Sequence, residues 1–281
     1  MKQKTISNYT GRVLFWVVVV VIALYTMLPF VYAISISSRT SAQVLVSARY
    51  LPEELRLTNY RYLLSNPDFM RTLANSAIVS SVTVLLALVV GSFAAYAMGR
   101  LQFRGRMGVM YVVLAMTMFP QISILSGLFG IVTDLEVYGS LVALILTYPI
   151  FTLPFTVWVL TSFFRGLPAE IEQAALVDGA TSFQTFRMIL LPLTAPALVT
   201  TGLLAFISAW NEYLFALTFT LVKPSAQTVP VAIANFSGYG YEIPVAERVT
   251  GAVIVALPLL VLVLIFQRRI IEGLTAGAVK G

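Results

Sequence analysis

Long apolar runs separated by short polar stretches set the pattern of this chain. Crossing about 30 Å of hydrocarbon takes roughly 20 helical residues. Six runs reach that length: residues 13–36, 73–99, 107 to about 131, about 137–164, 193 to about 221, and 249–267. All but the fifth are free of Asp, Glu, Lys and Arg. The runs are continuous, unlike the alternating segments of a β-barrel, so they predict an all-α membrane protein with six transmembrane helices. Pro29, Pro120, Pro149, Pro154, Pro196 and Pro258 fall inside or at the edge of these runs and predict kinks. Lys2 and Lys4 would suit the start of a secretory signal. The 24 uncharged residues of the first run, however, exceed the about 7 to 15 of a signal's apolar core, so that run reads as a retained span.

Composition narrows the chemistry. Of 281 residues, 59% are hydrophobic and 11% charged, too apolar for a soluble domain. The absence of Cys removes disulfides and thiolate metal sites, and the absence of His removes the commonest general base and metal ligand, so neither a metal site nor a catalytic residue is expected. The formal charge of +6 reads as cytoplasmic anchoring, not as nucleic-acid binding.

Lys and Arg near the span ends give orientation. One face collects Lys2, Lys4, Arg12, Arg100, Arg104, Arg106, Arg165, Arg187, Arg268, Arg269 and Lys280. The other has Arg39, Arg49, Arg56, Arg61, Arg71, Lys223 and Arg248 over a longer total length. This bias predicts that both termini are cytoplasmic. Residues 1–72 then form the N-terminus, first span and an outer arm; residues 73–267 form a five-helix core, including a cytoplasmic hairpin at 165–192; residues 268–281 form a cytoplasmic tail. The arm, with Pro52 and Pro67, reads either as a connector packed on the bundle or as a surface for an external partner.

The hairpin is the one soluble-looking helical element. Pro168 suits a first helical position, Glu170 and Glu172 place negative charge at the positive end of the helix dipole, and Gly179 suits a left-handed terminus. Thr181 with Gln184 is a capping-box pattern for a second helix, with Phe183, Phe186 and Ile189 or Leu190 on one face and a break at Leu191-Pro192. The small residues Ala174, Ala175, Gly179 and Ala180 would admit another protein's surface, so the hairpin reads as a docking element.

In the fifth run, spacings of three and four put Thr201, Ser208, Asn211 and Glu212 on one helical stripe. A carboxylate at mid-bilayer is costly, by about 2.5 to 3.5 kcal/mol. Glu212 therefore faces a cavity or, being late in the run, reaches the outer interface; both readings stand. The loop 223–248 holds Asn235, Phe236, Tyr239, Tyr241 and Glu242 among glycines. Such residues suit a sugar-binding cleft, where rings stack and amides or carboxylates reach hydroxyls; a Gly-rich turn is the other reading. The last nine residues, with Gly273, Leu274, Thr275, Gly277 and Lys280, cannot hold a helix alone. They are expected either to be disordered or to fit a partner's groove.

Ala174, Ala175, Gly179, Ile189, Leu191 and Pro192 fall on the spacing Glu-Ala-Ala, three residues, Gly, nine residues, Ile-x-Leu-Pro. In this the chain resembles the permease subunits of binding-protein-dependent ABC importers. Gln173 stands where that motif has its glutamate, with Glu172 adjacent. Trp210-Asn211-Glu212 and the ending from Gly273 are similar to the sugar-importer branch, of the maltose and trehalose type of second permease subunit. The resemblance implies a type I importer architecture in the bacterial plasma membrane, contacting lipid and translocating a maltose- or trehalose-like glucoside. It implies a second homologous permease, two ABC ATPase subunits that bind ATP and Mg, and an extracytoplasmic sugar-binding protein as partners. It makes Glu172, Gln173, Ala174, Ala175, Asp178, Gly179, Ile189, Leu191 and Pro192 the ATPase-coupling residues. It also makes Ser208, Asn211 and Glu212 candidates for the path, assigns the 235–242 residues to the binding protein, and assigns the tail to the ATPase dimer. No Gly-x-x-x-x-Gly-Lys-Ser/Thr phosphate loop is present, so the chain is not expected to hydrolyse ATP. An ion-coupled secondary transporter is the alternative; it predicts buried charges in several spans, where Glu212 alone qualifies. An intramembrane enzyme lacks a metal-ligand cluster, His and Cys.

Overall fold

The computed structural model describes residues 2–46, 50–51, 54–236 and 244–278, with side chains from 11 to 268 among them. The regular elements of the described chain are all helices. In order come α1 (Lys2–Ser37), α2 (Ser41–Val46), α3 (Thr58–Leu64), α4 (Pro67–Arg100), α5 (Arg106–Thr117), α6 (Gln121–Asp134), α7 (Leu141–Thr147) and α8 (Pro149–Gly166). Then follow α9 (Ala169–Val177), α10 (Ser182–Thr185), a π-helical turn (Phe186–Leu190), α11 (Leu191–Leu193), α12 (Ala195–Trp210), α13 (Leu214–Thr220), α14 (Val229–Ala234) and α15 (Val245–Ala278). Among the described residues four stretches are long and apolar enough to cross a membrane: Gly11–Ser37, Pro67–Arg100, Leu141–Gly166 and Val245–Arg268. Two bent pairs, α5 with α6 and Ser182–Leu193 with α12, bring the number to six if each pair is counted as one span.

The chain divides into two compact units. The first, Met1–Pro67 with Ile233–Ala256, is held by a polar knot at the end of α1. Ser35, Ser37, Ser38, Arg39 and Ser41 are buried there. Asn59 of α3 donates to the carbonyls of Ser37 and Arg39, at 2.9 and 2.7 Å, and the Tyr60 hydroxyl lies 2.6 Å from that of Ser37. From α15, Glu247 accepts from the Ser41 hydroxyl, and Arg248 donates twice to the Phe236 carbonyl. Buried polar groups persist only when paired, and here the carbonyls at the end of α1 are taken up by the Ser38 and Arg39 N–H groups, by the Ser37 and Ser38 hydroxyls and by Asn59.

The second unit, Asp68–Ala232 with Leu257–Gly281, is organised on the approach of α4 to α8. Ala87, Gly91, Ala95 and Gly99 recur every four residues on α4 and are all buried. A Cβ on Gly91 would stand 2.6 Å from Thr156 Cγ2, and one on Gly99 would stand 2.8 Å from Phe164 Cβ. In lipid, where apolar side chains gain little by leaving the solvent, such backbone proximity is a main source of helix association. α8 also packs on α5 and α12. Two cores follow. One gathers Val79, Leu144, Tyr148, Phe215 and Phe219, and the other gathers Tyr96, Leu160, Phe164, Phe186 and Leu190.

Three predicted elements differ. The third run is not one rod: α5 and α6 meet at 98° across Met118–Pro120, because Pro120 cannot donate to the helical ladder and biases Phe119 away from helix. The fifth run is also interrupted. α12 stops at Trp210 and α13 starts at Leu214, so Glu212 is off the helix that carries Thr201 and Ser208, and the single stripe does not form. The last helix continues through Ala278, so Gly273, Leu274, Thr275 and Gly277 are helical; extending an existing helix carries no nucleation cost, which composition alone does not reveal. Lys280 lies outside the described residues.

Replacing Gly99 by Val is expected to cost the second unit about 1 to 3 kcal/mol through forced overpacking. Gly108→Ala, where nothing lies within 4 Å of the added Cβ, serves as the control. Thermal unfolding of the detergent-purified protein checks this. Equal midpoints for the two variants would contradict the role given to the close approach.

Candidate functional site

The hairpin is built by local capping. α9 starts one residue later than its proline suggests, with Pro168 as an extended N-cap. It ends with Ala180 N–H donating to Ala175 O at 2.9 Å and Gly179 N–H donating to Leu176 O at 3.1 Å, the paired bonds of a Schellman terminus. Gly179 takes φ +83° there. At α10, Gln184 N–H donates to Thr181 Oγ1 at 3.3 Å, and Thr181 N–H donates to Gln184 Oε1 at 2.8 Å, completing the predicted capping box.

The π-turn that follows has a cause in the sequence. Pro192 cannot supply the N–H that would pair with the Met188 carbonyl, and its ring would clash with that carbonyl in a regular helix; the widened turn relieves the conflict. Phe186 and Leu190 then share the buried face, with Ile189 only half-buried and Phe183 exposed. Phe186, 3% exposed, is ringed by Phe93, Tyr96 and Phe164 at centroid distances of 5.1, 4.9 and 6.1 Å.

A polar fastening supports this aromatic anchor. Arg100 Nε lies 3.2 Å from Glu172 Oε2, the Tyr96 hydroxyl donates to Glu172 Oε1 at 3.2 Å, and Arg100 also donates to Pro168 O. The end of α4 is closed by Arg106, donating to Gly99 O, and Arg165, donating to Met98 O, both cations at the negative pole of the helix. Of the predicted coupling residues, Glu172 faces its own chain and Ala175 is buried. Gln173, Ala174, Asp178 and Gly179 are exposed. Exposed apolar side chains join them: Leu176, Met188 and Val177, the last 88% exposed. Sequence reasoning missed the α4 partners of the hairpin, for no local signal links residues 96 and 100 to residue 172.

Away from the hairpin, Ser208, Asn211 and Glu212 line one cavity of about 600 Å³ with the rings of Phe119, Phe151, Phe155 and Tyr213 and the amide of Gln121. Glu212 is 6% exposed; its two oxygens accept from Phe215 N–H at 2.7 Å and Ala216 N–H at 2.9 Å, which caps α13. Asn211 donates to Ile207 O at the end of α12. Among the loop residues, Phe236 accepts from Arg248 through its carbonyl, whereas Tyr239, Tyr241 and Glu242 lie outside the described residues. No group of three or more Asp and Glu residues that could hold a metal occurs among the described residues.

Residues 87–275, which contain both the hairpin and the cavity, match the family described as binding-protein-dependent transport system inner membrane component. The chain belongs to this family. The permease is 41% identical over 272 residues to the trehalose transport system permease protein SugB of Mycobacterium tuberculosis, covering 96% of this chain and 98% of that one. It is 40% identical to the trehalose/maltose transport system permease protein MalG of Thermococcus litoralis, covering 96% and 97%. Its fold is similar to that of a bacterial ABC transporter involved in the import of the acidic polysaccharide alginate, with a TM-score of 0.77 at 22% identity over 93% and 97% of the two chains. The permease is thus an inner-membrane transport component and not a catalytic subunit, and the ion-coupled alternative has no support.

Phe186→Ala is expected to loosen the hairpin from α4 and α8 at a cost of about 3 to 5 kcal/mol, read as faster amide exchange across residues 169–190. At Gly179 the space around a new Cβ is open, so the penalty is conformational. Gly179→Val is expected to cost about 1 to 2 kcal/mol of hairpin stability and Gly179→Asn clearly less, by the same measurement.

Proposed function

We propose that the permease is the second membrane subunit of an ATP-driven importer for a maltose- or trehalose-like glucoside handed over by an extracytoplasmic sugar-binding protein. The observation that carries the reading is its near full-length similarity to trehalose and trehalose/maltose permeases. A second homologous permease completes the membrane part, and two ABC ATPase subunits bind ATP and Mg.

In this mechanism the hairpin docks in a cleft of one ATPase through Gln173, Ala174, Leu176, Val177, Asp178 and Gly179. ATP-driven closure moves it, and rigid-body transmission to the bundle requires that the hairpin not yield at its root. Ala175, Glu172, Ile189, Leu191 and Pro192 belong to that root, together with Phe186 and its ring of aromatics. The tail from Gly273, with Leu274, Thr275, Gly277 and Lys280, contacts the ATPase dimer. On the opposite side Asn235, Phe236, Tyr239, Tyr241 and Glu242 meet the binding protein. Both termini are cytoplasmic, and Ser208, Asn211 and Glu212 lie along the sugar's path.

Purification in mild detergent is expected to recover the permease with an ATPase and a second permease. Maltose or trehalose with its binding protein should stimulate ATP hydrolysis. Val177→Asp, which puts a charge on the docking face, is expected to lower that stimulation about tenfold, equivalent to about 1.4 kcal/mol of docking free energy. Recovery of a folded permease without any ATPase would sink the reading, as would uptake abolished by ionophores but indifferent to ATP depletion.

A further inference from the structure

Glu212 lines the cavity, yet each of its carboxylate oxygens already accepts a backbone N–H of α13, and the residue is 6% exposed. Burying a carboxylate is tolerable only with such donors, and the positive end of a helix favours the negative charge further. The cap fixes the break at residues 211–213, whose outer members, Asn211 and Tyr213, present an amide and a ring to the cavity. The break is also gripped from below: Phe215 packs edge-on against Phe151, another lining ring, at 5.9 Å. Among the described residues that line this cavity, Glu212 is the one carboxylate and there is no Lys or Arg; the other polar groups are hydroxyls and amides.

We propose that Glu212 is a positioning residue and not a sugar ligand: by fixing the α12–α13 break it sets Asn211 and Tyr213 on the wall of a cavity without free charge, and so fits that wall to uncharged glycosides. The identity of the ligand rests on the import reading; the cap does not. Rings that stack on pyranose faces, flanked by amides and hydroxyls, suit a neutral sugar, whereas an anionic sugar would find no cation among the lining residues.

Two measurements on the detergent-purified assembly test the proposal. In the first, hydrogen exchange is followed in the segment 212–220. Glu212→Ala is expected to speed exchange of the α13 amides at least tenfold, and Glu212→Gln, which keeps one acceptor, by less. Unchanged exchange in the Ala variant overturns the proposal. In the second, maltose, trehalose and a glucuronide are titrated without binding protein, followed by tryptophan fluorescence. Glu212→Gln is expected to weaken both neutral sugars alike, three- to tenfold, with no gain for the glucuronide relative to them. A relative gain of tenfold or more for the glucuronide would show a free carboxylate facing the ligand and overturn the proposal. If the unaltered assembly binds none of the sugars, the import reading fails, and the exchange measurement still decides whether Glu212 is the cap.

Discussion

The approach of α4 to α8 depends on two missing methyl groups. At Gly91 and Gly99 any side chain would collide with Thr156 or Phe164, and between them Ala95 is fully buried. That contact brings Tyr96 on α4 beside Phe164 on α8, at a ring-centroid distance of 6.1 Å. The two rings, with Phe93, make the socket that Phe186 fills. The hairpin's attachment is therefore a consequence of how two spans meet beside it. Packing of this kind is close-fitting and not elastic, so it holds Phe186 in one seat.

Charge completes what packing begins. The last turn of α4 gathers Arg100, and Arg106 and Arg165 donate to its carbonyls, so the negative pole of a long helix is matched by cations from three places in the chain. Glu172 joins through Arg100 and the Tyr96 hydroxyl. These pairs are partly exposed, and their worth lies more in fixing where the hairpin leaves the bundle than in stability.

Much of this was legible in the sequence. The apolar spans and a helical hairpin with Gly179 as its turn and Thr181 with Gln184 as its cap follow from local rules, because capping and hydrophobic length act over a few residues. What was not legible depends on distant partners. Nothing near Glu172 announces Arg100, and nothing near Glu212 announces that its carboxylate would close a helix start instead of sharing a stripe with Ser208. The tail misled for a related reason: Gly273 and Gly277 read as helix breakers in isolation, but they follow a helix already formed. The α4 repeat of small residues was present in plain letters and went unused, since only the facing helix gives it meaning.

The widened turn at Phe186–Leu190 gives the spacing of the hairpin motif a rotational sense. It takes up one residue more per turn than a regular helix, just before Pro192, and every element beyond inherits the resulting angle. At 3.6 residues per turn, one residue corresponds to about 100° about the helix axis. The nine residues between Gly179 and Ile189 therefore set a phase as well as a length. The face that α12 turns to the cavity, with Ser208 on it, follows from that turn together with the 73° bend between Leu193 and Ala195.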